Sequence, residues 1–153
     1  MQFSDDILIR IIIFVLAVGG FLVARYIHQH KRADQTPLVC PVGFDCDAVV
    51  QSGYSKFLGM PVEFMGMIYY ALISLAYLIF IFWGEIMPGM VIGFLLVSSL
   101  GAFLFSLYLI IIQIFIIKKG CSWCIISSII SACIFILTIF AYDFVSIAKI
   151  FVK

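Results

Sequence analysis

The sequence predicts an all-α integral membrane protein, a four-transmembrane-helix bundle with a short interfacial helix in the first loop. Three observations carry that prediction. The 153 residues are 65% hydrophobic and 11% charged, whereas soluble domains run near half apolar and about a quarter charged. Mean hydropathy is +1.27. Four long apolar runs, separated by the few polar segments, have the length of membrane spans. A chain this short forms a single membrane domain over 1–153, with spans at about 7–27, 62–83, 89–117 and 121–143 and a polar loop over 28–61.

The first span opens at Ile7, with Arg10 near one end and Arg25 beyond the other. Both arginines can snorkel to the interfaces. A cleavable signal sequence is the alternative for this segment, with small residues at Ala17, Gly19 and Gly20. In the loop, His28 and His30 lie beside Lys31 and Arg32, and these cations oppose metal binding. Pro41 and Gly43 place Cys40 in a turn. Asp45 caps a short helix from Cys46 to about Phe57, with apolar residues at helical spacing. Gly59-Met60-Pro61 ends it and turns the chain into the second span.

The second span carries Glu63 near its mouth and Tyr69-Tyr70 inside. The uncharged run from Ile86 to Ile117 would be about 48 Å long as a straight helix, against a hydrocarbon core of about 30 Å, so it must tilt or project. Gly93, Ser98, Ser99, Gly101, Ala102 and Ser106 give this third helix small faces for close packing. The fourth span opens on Cys121-Ser122-Trp123-Cys124. The tail from Asp143 to Lys153 suits the interface.

Four spans fix a parity. The loop between spans one and two and the start of span four emerge on the same side. Cys40, Cys46, Cys121 and Cys124 therefore share one face. Thiol–disulfide exchange needs a thiolate within reach of a disulfide. A Cys-x-x-Cys pair at a helix N-terminus suits it, because the helix dipole and the unbonded N–H groups favour thiolate. Lys118 and Lys119 add positive potential. The inner pair faces the membrane, where a quinone could reach it. A four-cysteine zinc site and a plain structural disulfide remain the competing readings. Cys133 is a packing residue inside an apolar helix. A net charge of +1 without a basic cluster excludes a nucleic-acid partner.

Together these residues resemble the vitamin K epoxide reductase family, in its bacterial and archaeal branch. The resemblance rests on Cys40-x5-Cys46-Asp47, Ser52, Gly59-Met60-Pro61 and Cys121-x-Trp123-Cys124, in that order across four spans. It covers residues of about 7–145. The DsbB family carries its Cys-x-x-Cys before the second span, which argues against it here. The resemblance implies that Cys40 exchanges with a thioredoxin-fold partner and that Cys46 passes electrons to Cys121. Cys124 then faces the quinone as a thiolate adduct or charge-transfer contact, and Ser52 positions the loop helix. The implied reaction is oxidation of protein dithiols coupled to reduction of a quinone cofactor of the ubiquinone or menaquinone type. Phe64, Tyr69, Tyr70, Trp123 and Ser128 are the candidate quinone-lining residues, with packing or interface anchoring an equal alternative for the aromatic ones.

Two departures bear on substrate. Animal members carry a tyrosine four residues after the second active cysteine, where this chain has Ser128, so reduction of vitamin K epoxide is unsupported. They also carry an asparagine near the start of span two, and this sequence has no asparagine. Some bacterial members carry a fused thioredoxin domain; here the chain ends at Lys153, so the partner is expected in trans.

Orientation pits two rules against each other. Arg25, Lys31, Arg32, Lys56, Lys118 and Lys119 lie on the cysteine side, against Arg10, Lys149 and Lys153. The positive-inside rule then points the cysteines to the cytoplasm. The family habit and the need for an oxidising compartment place them on the extracytoplasmic face of the inner membrane.

Overall fold

The computed structural model describes residues 2–32, 53, 56–83, 89–118, 120 and 122–141. Among these, four helices are long and apolar enough to cross a membrane. Helix α1 spans Gln2–Arg32, α2 Val62–Trp83, α3 Gly89–Ile112 and α4 Ser122–Ala141. A π-helical segment, Gln113–Ile117, extends α3. Large apolar side chains such as Val15, Leu75, Phe82 and Phe140 point outward, as expected where the surrounding solvent is lipid.

Association in lipid has no hydrophobic drive, so it depends on close packing and interhelical hydrogen bonds. Helix α1 supplies a seam of small and slim residues. Ile13, Ala17, Gly20, Ala24 and Ile27 recur at alternating spacings of four and three, and all are buried. The opposing seam of α2 carries Tyr70, Ile73, Tyr77 and Phe80 at the same spacing. Large side chains of α2 thus fill notches of α1. At Gly20 the fit is closest: a Cβ there would stand 2.5 Å from Cε1 of Tyr70.

Helix α4 also packs on α1 and on α3, whereas α2 and α3 have little backbone contact. Tyrosines bridge what backbones do not. The Tyr70 hydroxyl donates to the Ser127 carbonyl at 2.8 Å and lies 2.9 Å from its Oγ. Deeper, Tyr77 and Thr138 hydroxyls stand 3.3 Å apart. Phe103 stacks on Phe135 between α3 and α4.

The entry to α2 differs from the expected helix through Phe57. Lys56–Phe57 forms strand β1, paired antiparallel with strand β2, Met60–Pro61. Leu58 and Gly59 connect them, both with positive φ (52° and 81°), the signature of a tight hairpin turn. Such a turn cannot continue a helix, so the expected helix does not reach Phe57. Residues 46–52, 54 and 55, where the rest of it was expected, lie outside the described residues. Phe57 meets Phe105 of α3 edge-on at 5.3 Å.

The small residues of α3 also take a different role. Ser98, Gly101, Ala102 and Ser106 line a cavity. They face this cavity because α2 stands off from α3, while Ser99 of the same set is fully buried. The 29-residue span Gly89–Ile117 measures about 43 Å at helical rise, still longer than a hydrocarbon core of about 30 Å.

The Gly20 notch yields a paired test. Gly20→Ala forces the Tyr70 ring off its partner and should cost about 1–3 kcal/mol, read as a lowered unfolding midpoint in detergent. Gly19→Ala meets nothing within 4 Å and should leave that midpoint unchanged or slightly raised.

Candidate functional site

The space left between α2 and α3 is a cavity of about 420 Å³, closed by α1 and α4. That volume is within the range of small-molecule sites. Each helix contributes one stripe. Helix α4 offers Cys124, Ser127, Ser128 and Ser131, at the i, i+3, i+4, i+7 spacing of one face. Helix α2 offers Val62, Glu63, Gly66, Tyr69 and Tyr70; α3 and its extension offer Ser98 through Gln113 and Ile117. The wall is largely apolar, and a few hydroxyls, one amide and one carboxyl interrupt it.

Cys124 is the third residue of α4. Amide hydrogens in a first helical turn have no carbonyl partner inside the helix and favour negative charge. The cysteine packs against Ile27, as do Val23, Tyr26, Ile117 and Trp123. The C-terminal end of α1 and the N-terminal ends of α2 and α4 meet here: Tyr26 lies 4.9 Å from Trp123 and His28 lies 6.3 Å from Phe64, ring to ring. This is the shared face that span parity requires.

Tyr69 and Ser128 line the cavity. The Ser128 hydroxyl donates to the Cys124 carbonyl at 2.9 Å. Its single proton is thereby committed to the helix backbone, and towards a ligand it can only accept. The Tyr69 hydroxyl donates to Ser99 Oγ across a long 3.4 Å, an easily redirected bond. Phe64 and Trp123 do not line the cavity. Phe64 is 41% exposed on the outer side of α2, and Trp123 packs on Tyr26 and Ile27. Cys40, Cys46, Ser52 and Cys121 lie outside the described residues.

Two cavity residues were not singled out as site candidates from the sequence. Gln113 is 4% exposed and opens the π-helical segment, a distortion common at functional sites. The segment ends at Lys118, in the left-handed conformation (φ 55°, ψ 26°). The signal was readable: Gln113 is the one amide in the uncharged run 86–117, and polar groups within spans mark sites. Glu63 was visible at the mouth of span two but not as part of a cavity. It is 8% exposed, with Oε1 3.7 Å from His28 Nδ1.

The chain matches the model of the vitamin K epoxide reductase family over residues 11–139. That range takes in the second and third spans, all but the outer ends of the first and fourth, and the whole cavity wall.

Tyr70→Phe keeps the ring in its notch and removes only the bond to Ser127. It should lower stability by roughly 1 kcal/mol, the scale of interhelical hydrogen bonds in membranes, measured by steric-trap or detergent unfolding.

Proposed function

The chain belongs to the vitamin K epoxide reductase family, whose members are membrane thiol–disulfide oxidoreductases working with a quinone, and on that premise we propose a four-cysteine relay. The chain re-oxidises a thioredoxin-fold protein and passes the electrons to a membrane quinone. The observation that carries this reading is the cavity itself. It brings Cys124 together with hydrogen-bonding groups in an otherwise apolar wall, at the end of the bundle where three helix termini meet.

The electron balance runs as two exchanges and one reduction. A partner dithiol reduces the Cys40–Cys46 disulfide and leaves oxidised. The Cys46 thiolate then attacks Cys121 of the inner disulfide, and Cys40 resolves the mixed disulfide, so that Cys121 and Cys124 become the reduced pair. Two electrons from that pair reduce the quinone to quinol as the inner disulfide re-forms. When bound, the quinone supplies the two-electron acceptor.

The cavity residues fit such a head group. A quinone carbonyl needs donors. The Gln113 amide carries two donor hydrogens, and the Tyr69 hydroxyl can turn from its long bond to Ser99. Gln113 thus offers the amide donor that animal members carry as an asparagine near the start of span two. The apolar wall excludes water around the sulfur. Disulfide formation suits an oxidising compartment, which supports the extracytoplasmic face of the inner membrane for the cysteines.

The test uses purified full-length protein, dithiothreitol as donor and a short-chain benzoquinone as acceptor, followed by quinone absorbance. The wild-type chain should form quinol, and Cys124→Ala should abolish it. Cys40→Ala should keep the dithiothreitol reaction but lose oxidation of a thioredoxin-fold substrate. Gln113→Leu should raise the quinone KM about tenfold, the weight of one buried hydrogen bond. Stoichiometric zinc in the purified protein, with no quinol formed, would point to a four-cysteine metal module instead.

A further inference from the structure

We propose that Glu63 is the acid that protonates the quinone in this cavity, with His28 as its link to the aqueous face. The assignment rests on the quinone reading above. Turning a quinone into a quinol takes two electrons and two protons. The inner cysteines supply both electrons. If Cys124 reacts as thiolate, its proton has already left, and the Cys121 thiol brings only one. A second proton must come from another group on the cavity wall.

The titratable groups on the described wall are Cys124, Tyr69, Tyr70 and Glu63. Tyr70 is tied to Ser127 by its hydroxyl and holds two helices together. The Tyr69 hydroxyl donates to Ser99 and is assigned above to a quinone carbonyl, and Gln113 and the serines are not acids. Glu63 is left, and its position suits the task. It lies in the first turn of α2, buried and facing the cavity that Cys124 also lines. Its side chain is 6% exposed, while that of His28 is 25% exposed with Nδ1 3.7 Å from Glu63 Oε1. The imidazole therefore stands between a buried carboxyl and water. Hydrogen bonds in empty sites commonly lie long and tighten when substrate binds.

The step balances. A Cys121 thiol, a Cys124 thiolate, a quinone and one proton, drawn from water through His28 and handed on by the Glu63 carboxyl, yield the disulfide and quinol. A carboxyl and an imidazole that merely tie α1 to α2 would share this geometry but not the kinetics.

The experiment compares full-length wild type with Glu63→Gln, Glu63→Ala and His28→Gln, using dithiothreitol and a short-chain benzoquinone. Glu63→Gln should lower kcat for quinol formation by about 100-fold, the lower end of general acid catalysis, with the quinone KM within about twofold. Reduction of the enzyme by dithiothreitol in a single turnover without quinone should be unchanged. The solvent deuterium isotope effect on kcat should rise. Acetic acid added at millimolar levels should restore part of the Glu63→Ala rate. His28→Gln should show the same pattern at about tenfold. The assignment falls if Glu63→Gln keeps its kcat, or if Glu63→Ala fails to respond to acetic acid while its unfolding midpoint drops. A wild-type chain that reduces no quinone overturns the functional reading itself, and this assignment with it.

Discussion

The bundle depends on where Tyr70 is held. Its ring occupies the notch at Gly20 of α1, and its hydroxyl reaches the backbone of α4 at Ser127. One side chain thus fixes three helices, in a solvent where packing and hydrogen bonds are the main sources of adhesion. The length of a tyrosine sets the separation of α2 from α4, and Tyr77 repeats that spacing one heptad on. Because α2 is drawn to α1 and α4, it stands off from α3. The cavity is the space that this arrangement leaves open.

Position then turns space into a site. The cavity lies at the end of the bundle where α1 finishes and α2 and α4 begin. Helix starts carry unbonded amide hydrogens, and Cys124 and Glu63 both occupy them. The hairpin at 56–61 reaches the same region, with Phe57 against the cavity residue Phe105. The apolar wall suits a lipid-soluble molecule, and its polar groups suit one that carries hydrogen-bonding atoms.

Much of this was legible in the residues. Span number follows from hydropathy alone, and parity brings the end of α1 and the starts of α2 and α4 together. Tyr69 was a candidate as an aromatic inside span two, and Ser128 through the resemblance, as the position where animal members carry a tyrosine; both line the cavity. The hairpin at 56–61 was hidden, because Leu58 at φ 52° is a residue type that rarely marks a left-handed turn. The role of the small residues on α3 was hidden for another reason. A stripe of Ser, Gly and Ala reads equally as a packing face or a cavity wall, and only the stand-off of α2 decides between them. Phe64 and Trp123 show the converse ambiguity: an aromatic at a span mouth can face a ligand, a neighbouring helix or the interface. The π-helical segment at Gln113 has no proline or glycine to announce it.

The central claim is that a quinone head group sits between α2 and α3 beside Cys124. Photolabelling answers it most directly, using a benzoquinone bearing a photoreactive group on its ring, with the modified residues mapped by mass spectrometry. Labels confined to the cavity stripes of α2, α3 and α4, and lost when excess unlabelled quinone competes, are the predicted result. Labels scattered over the lipid-facing residues, or unaffected by competitor, would contradict the account.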